Sequence, residues 1–263
     1  MRRGLHMLRE YLALWLGLFV FGSVALTWML LAAPAYYLLP RSLGIRLGRL
    51  VVTLGFRLLL RVLSAVGGCR FDLEALDELR TAGPLIIAPN HPCRLDAVFV
   101  LSRLPNVACI VKAGLVDNPC FGAGARLAGY IRNDSLLNMA LGAVEELRAG
   151  NHLLLFPEGT RTTRWPVNTF TPGISRIAAR AQVPIQTVFI ETTSATFTKG
   201  WPLLRRPVLP MHYRVRLGRR FEPPTDVKTS VMDLERYFAD ALREVPHFLR
   251  PVGATPDVHG RSS

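Results

Sequence analysis

Residues 84–96 read Pro84-Leu85-Ile86-Ile87-Ala88-Pro89-Asn90-His91-Pro92-Cys93-Arg94-Leu95-Asp96. Pro84 to Ala88 is an apolar run bounded by Gly83 and Pro89, the form of a buried strand. It delivers a histidine at the strand's end. An aspartate follows five residues later, where a helix from Asp96 to Arg103 is expected to begin. A carboxylate on one ring nitrogen fixes a histidine's tautomer and direction and stabilises its imidazolium, which suits a general base. By itself the pair reads equally as a helix cap and a solvated side chain.

A second segment carries the same design. Leu153-Leu154-Leu155-Phe156 is another apolar strand, and it runs into Pro157-Glu158-Gly159-Thr160-Arg161, a turn with a carboxylate, a hydroxyl and a guanidinium. Open α/β sheets build their sites from such loaded turns at the carboxyl ends of strands. Lys112, at the end of a strand expected over Val107 to Lys112, belongs to the same edge. Its ammonium either stabilises charge on a carbonyl oxygen or snorkels at an interface.

His91-x4-Asp96 (an HX4D motif) followed by Phe156-Pro157-Glu158-Gly159-Thr160-Arg161 resembles the glycerolipid, or lysophosphatidic-acid, acyltransferase family. Val183-Pro184-Ile185 resembles that family's proline-centred last motif, so the likeness covers roughly residues 67–221. It implies an α/β fold, a mixed sheet flanked by helices and preceded by an N-terminal membrane-associated helical segment. It also implies an O-acyltransferase of lipid synthesis. His91 would be the base that takes a lysophospholipid hydroxyl's proton, Asp96 its support, and Arg161 the grip on the acceptor phosphate. Glu158 would touch the acceptor or brace the turn. Gly159 would let the backbone come close to substrate, and Thr160 would cap. Gly129-Tyr130-Ile131-Arg132-Asn133-Asp134 stands where the family has an acid followed by an arginine; either Arg132 is that arginine moved by one position or the motif has changed. Two further departures are Cys93, where the family often has a small hydroxyl residue, and Thr171, where it usually has lysine. Cys93 is either a buried small hydrophobe or an acyl-carrying nucleophile. No cofactor or metal is expected. The donor would be acyl-CoA or acyl-carrier protein, both strongly acidic.

Charge and hydropathy fit this reading. The 263 residues hold 32 Lys and Arg against 19 Asp and Glu, a formal charge of +13, and half are hydrophobic. No nucleic-acid motif accompanies the charge, whereas an anionic membrane surface attracts basic side chains. The apolar excess lies at the amino end. After a basic lead (Arg2, Arg3, Arg9), residues 11–40 carry no charge. As a helix they would extend about 45 Å against a hydrocarbon core of about 30 Å, with Pro34 expected to end or kink it. From Arg41 to Val66, Arg46, Arg49, Arg57 and Arg61 fall on or near one face of a second helix, the form of an interfacial amphipathic helix. A single span and a hairpin dipping into one leaflet both remain open.

The division expected is a membrane-anchoring segment over 1–66, a catalytic domain over 67–250 and a disordered tail over 251–263. Within the domain the patterns predict an amphipathic piece over Phe71 to Arg80 and helices over Leu136 to Arg148, Ile174 to Gln182 and Val231 to Glu244. Strands are expected over His152 to Phe156, Val183 to Glu191 and Met211 to Phe221. Four cysteines without CxxC spacing give no zinc site or disulfide framework. The setting expected is a bacterial-type inner membrane with the catalytic domain facing the cytoplasm. The same chemistry on an amino-lipid or glycolipid acceptor, and a membrane-binding scaffold without catalysis, are the competing readings.

Overall fold

The computed structural model describes residues 2–66, 68–118 and 122–245. Cys120 and the tail over 251–263 lie outside the described residues. Two long helices come first, α1 (Arg2–Leu38) and α2 (Arg41–Ala65). Strand β1 (Cys69–Asp72) and a 3-10 helix (Glu74–Thr81) lead to β2 (Ile86–Pro89) and α3 (Asp96–Arg103). Then come β3 (Val107–Lys112), α4 (Ala113–Val116), α5 (Gly122–Leu127), β4 (Ile131–Asn133), α6 (Leu136–Arg148) and β5 (His152–Leu154). The chain continues through α7 (Gly173–Ala181), β6 (Ile185–Thr192), β7 (Met211–Phe221) and α8 (Val227–Arg243).

The seven strands form one sheet in the order β1-β7-β6-β2-β5-β3-β4. Strands β2 to β6 run parallel, and β7 returns antiparallel to β6 with β1 parallel beside it. The carboxyl ends of β2, β3, β4, β5 and β6 therefore share one edge. Alternate residues of β2 serve opposite faces, as the pleat requires: Ile87 enters a core with Leu76, Leu79 and Phe99, and Ile86 one with Leu147, Ile174 and Phe238. The first core lies under α3 and the α1–α2 hairpin, the second under α6, α7 and α8.

Several expected ends hold: α3, α6, β3 and β7 begin and stop where the patterns put them. Others move for identifiable reasons. The piece expected over Phe71 to Arg80 is divided, its first residues joining β1, whose partner is β7. α8 starts four residues early because Asp226 caps it, its carboxylate accepting from the N–H groups of Lys228 and Thr229. β5 stops at Leu154, and Phe156 turns out of the sheet. α1 does not end at Pro34 but continues to Leu38. Its neighbours Ala32 and Ala35 pack beside Ala123 and Leu127 of α5, and that contact outweighs the lost backbone donor.

The amphipathic face of α2 is turned the opposite way to the expectation. Arg49 is buried, its Nε donating to the Ala128 carbonyl at 3.0 Å and its Nη2 to Glu146 Oε2 at 2.8 Å. Arg57 donates to the Ser102 carbonyl at 2.7 Å; Arg46 and Arg61 are exposed. The polar stripe thus docks α2 on the sheet domain. Gly48 permits it, since a Cβ there would lie 2.7 Å from the Ala128 nitrogen. The stripe left outward is Leu43, Leu47, Leu50, Leu54 and Leu58, beside the exposed Leu12, Trp15, Phe19, Leu26 and Leu30 of α1.

Removing one partner of a buried, hydrogen-bonded pair leaves a costly charge behind. Arg49→Ala is expected to lower stability by about 3 kcal/mol, the low end for such a pair, because Asn151 still donates to Glu146 at 2.7 Å. Unfolding in detergent measures this, and an unchanged midpoint would show that the pair does not hold the hairpin down.

Candidate active site

The site begins with Asn90, the residue after β2. Its side chain donates to the Ile190 carbonyl at 3.0 Å and accepts from the Ile190 N–H at 2.7 Å, stitching the end of β2 to β6. The chain then turns, and Asp96 opens α3 completely buried. Its Oδ2 accepts from His91 Nδ1 and from the Cys93 N–H, both at 2.8 Å, and its Oδ1 accepts from the Cys93 thiol at 2.9 Å. Burial pushes the Asp96 carboxyl above its ordinary range, and the His91 and Cys93 bonds oppose that rise. With Nδ1 committed to the carboxylate, Nε2 is the nitrogen open for chemistry. The imidazole stacks on Phe156, ring centroids 3.8 Å apart and planes 18° from parallel. Phe156 leaves the sheet to provide that stack.

Glu158 is a brace. It is buried, and both its oxygens are occupied by the protein. Oε1 accepts from the His91 N–H at 3.1 Å and the Thr162 hydroxyl at 2.6 Å, and Oε2 from the Asn168 N–H at 2.9 Å. The Thr162 N–H returns a bond to the His91 carbonyl at 2.8 Å. These bonds fit the bracing role expected for Glu158. Gly159 turns the chain at φ +65°, a left-handed conformation that favours glycine. Thr160 is exposed and accepts from Lys199 Nζ at 3.2 Å.

Arg161 donates to the carbonyls of Phe197 and Thr198, at 3.4 and 2.9 Å. Its pKa is lowered, first by burial and next by the positive Arg94 nearby. Arg94 donates to the Trp201 carbonyl at 3.3 Å. Among the described residues neither guanidinium pairs with a carboxylate. Both guanidiniums are bonded to carbonyls of one loop, and the negative charge that reaches Arg161 is that of the nearby Asp96.

The other two predicted cations stand apart. Lys112 lies on the same edge, but β3 is two strands from β2, roughly 10 Å at ordinary strand spacing, and its side chain is exposed. Arg132, on β4, is one strand further out. It pairs with Asp117 Oδ2 at 2.7 Å and Asp134 Oδ2 at 3.1 Å. Cys93 is fully buried, and burial raises its thiol well above the ordinary range, so it is a hydrogen-bond donor to Asp96 rather than a nucleophile. Among the described residues no group of His, Cys, Asp and Glu side chains is placed to hold a metal ion.

One feature went unread in the sequence. A cavity of about 310 Å³ lies between the hairpin and the α3 side of the sheet. Leu14 and Phe21 of α1, Phe56 and Leu63 of α2, and Val98 of α3 line it, with Phe197 from the loop after β6. Its wall is almost wholly apolar and includes Arg94 and Leu95, within the His91–Asp96 turn. At the other end Phe21 and Leu203 are exposed. Its wall comes from five separate stretches of chain, so no local pattern announces it.

A sequence profile described as Acyltransferase matches residues 70–191, which include His91, Asp96 and the Glu158 turn. Over that stretch the chain is similar to the acyltransferase family. The 1-acyl-sn-glycerol-3-phosphate acyltransferase alpha of Mus musculus is 26% identical over 194 residues, 71% of this chain and 66% of its own. The 1-acyl-sn-glycerol-3-phosphate acyltransferase of Pseudomonas aeruginosa is 26% identical over 143 residues, 52% of this chain and 55% of its own. The chain spans about half the length of the curated relatives it matches, 44%, 39% and 66% for three of them. The crystal structure of PlsC, the 1-acyl-sn-glycerophosphate (LPA) acyltransferase of Thermotoga maritima, superposes with a TM-score of 0.67 over 93% of this chain and 97% of that one. At 19% identity this likeness speaks to the fold.

Glu158 supplies a test of the brace. Burial raises its carboxyl above the ordinary 4.5, so the folded state holds the proton to higher pH than the unfolded one. That contribution is complete below 4.5 and is lost as pH rises through the folded value. Glu158→Gln should flatten this part of the fall of stability with pH. At neutral pH it should also destabilise by about 1–3 kcal/mol, because an amide cannot accept at both positions. Urea midpoints across the pH range read both effects. A variant as stable as wild type at pH 7 would remove the brace.

Proposed function

We propose that this chain is a membrane-associated O-acyltransferase that moves an acyl group from a thioester to the free hydroxyl of a lysophospholipid, lysophosphatidic acid first. What carries the reading is one juxtaposition: the wall of an apolar cavity includes Arg94 and Leu95, inside the turn that pairs His91 with Asp96, and the Arg161 guanidinium lies near that of Arg94. The cavity suits an acyl chain, the guanidiniums a phosphate, and the imidazole a proton in transit.

The steps follow from the atoms. His91 Nε2 takes the proton of the acceptor hydroxyl as its oxygen bonds to the thioester carbonyl carbon. The carbon–sulfur bond then breaks, and the imidazolium gives its proton to the leaving thiolate, so an ester and a free thiol result. Asp96 holds the imidazolium through Nδ1. Glu158 and Phe156 fix the ring, the first through the His91 backbone and the second through its face. The donor is acyl-CoA or acyl-carrier protein. Residues 67–250 form the catalytic domain.

The hairpin of residues 1–66 is the membrane seat. By length and composition Met7–Leu38 could cross a bilayer. Yet the pair packs along the domain for most of its length, from Leu59 and Leu60 in the α3 core to Gly44 against Leu127. A helix pair tied down in this way cannot pass through the hydrocarbon without drawing polar surface in with it. We therefore place it in one leaflet, outward leucines down, with the site's edge on the cytoplasmic side of a bacterial-type inner membrane. Arg132, already paired with Asp117 and Asp134, keeps an acceptor with a different headgroup, such as an amino-lipid, as a second reading.

The test offers purified protein a panel of lysolipids, an amino-lipid among them, with labelled acyl-CoA or acyl-carrier protein, and identifies products by mass. Phosphatidic acid from lysophosphatidic acid is the expected main product. His91→Ala should retain the fold and lose about 10²- to 10⁴-fold or more in rate, the size of a positioned general base. Turnover like wild type in that variant contradicts the mechanism.

A further inference from the structure

The loop between β6 and β7, residues 193–210, does no work in the mechanism beyond its carbonyls, yet it shows an unusual surface. Leu203 is 47% exposed, Leu204 62% and Val208 59%, within one short stretch that also carries Trp201 and the exposed cations Lys199 and Arg205. The loop is braced by its own contacts. Inside it, the Thr198 hydroxyl donates to the Ala195 carbonyl at 2.7 Å, and the Val208 N–H to the Thr196 hydroxyl at 3.2 Å. The Arg205 guanidinium lies over the Trp201 ring, 4.3 Å from its centroid. Three apolar side chains are therefore held outward by a braced backbone.

Its position is set by α1. Glu10 is buried, and it accepts from Arg206 Nη1 at 2.7 Å and from the Leu209 N–H at 3.2 Å. Glu10 is also the last charged residue before the uncharged stretch of residues 11–40. The loop is thus clamped where the chain passes from charged to apolar. Leu203 continues the apolar surface of α1, sharing the cavity wall with Leu14, Leu18 and Phe21.

We propose that Trp201–Val208 is a second membrane contact, in which Leu203, Leu204 and Val208 enter the apolar boundary of a bilayer while Lys199 and Arg205 meet anionic headgroups. An apolar tip ringed by cations and an aromatic suits the charge and polarity profile of that boundary. The proposal rests on the hairpin's seat in the membrane and not on acyl transfer. It has a consequence for the site, since the same loop receives the bonds of Arg94 and Arg161 through the carbonyls of Phe197, Thr198 and Trp201. Bilayer contact at its tip would hold both guanidiniums at headgroup height.

The experiment uses the full chain in phosphatidylcholine vesicles with and without phosphatidylglycerol. A polarity-sensitive fluorophore is attached in turn at Leu204→Cys, Leu12→Cys and Thr225→Cys, in a Cys120→Ser background; Cys69, Cys93 and Cys109 are buried. Leu12 is exposed on α1. Thr225 is exposed just past β7, whose end pairs with the start of β6, so it lies on the edge opposite His91. Quenching by spin-labelled lipid should be several-fold stronger at position 204 than at 225, stronger still with phosphatidylglycerol, and comparable to that at 12. Quenching at 12 but not at 204 overturns the loop contact alone. Absence of quenching at both 12 and 204 overturns the membrane seat as well. Neither result bears on whether the enzyme transfers acyl groups.

Discussion

The site depends on one buried carboxylate. Asp96 has no access to water, so its charge persists only while three protein donors surround it, His91 Nδ1, the Cys93 N–H and the Cys93 thiol. That requirement fixes the turn over residues 91–96 more tightly than any sequence preference, because all three donors lie within it. It also sets the direction of the imidazole. Phe156 then closes the ring's face and Glu158 clamps its backbone, and each comes from the second loaded strand end. Two strand ends, with His91 and Glu158 67 residues apart in the chain, are locked into one object by these contacts.

A second constraint acts on the hairpin. An amphipathic helix with five arginines ordinarily turns them to water or headgroups. In α2 the buried Arg49 and half-buried Arg57 instead satisfy carbonyls at the surface of the domain, and the leucines are left outside. That leaves a continuous apolar surface on the outer face of α1 and α2, the surface that the proposed seat in one leaflet would cover. The same logic explains why the apolar cavity forms there: the hairpin bridges over α3, and its large side chains meet those of Phe197 and Leu209 without filling the space between.

Much of this was legible in the chain. Period, caps and flanking breakers placed α3, α6, β3 and β7 to the residue, and the paired strand ends pointed to His91, Asp96 and Arg161. What could not be read depends on distant partners. β1 is four residues, Cys-Arg-Phe-Asp, and becomes a strand only because β7 lies alongside it. Glu158 has partners in Thr162, Asn168 and the His91 backbone that no local pattern names. Lys112 and Arg132 share the edge with His91 but lie two and three strands away, on β3 and β4, a spacing set by the sheet order and not by local sequence. Arg94 stands inside the motif with nothing in its spacing to mark it, and only the fold brings it to the loop that Arg161 also reaches. The arginine stripe of α2 gave the right helix and the wrong outward face, since period alone does not say which side meets the protein.

The most direct test of the central claim replaces Asp96 by asparagine, which keeps the shape and removes the charge. The account predicts a folded protein whose kcat/KM for acyl transfer to lysophosphatidic acid falls by about 10²- to 10⁴-fold, the scale of a misdirected general base. An Asp96→Asn enzyme that stays folded and turns over at the wild-type rate would contradict it.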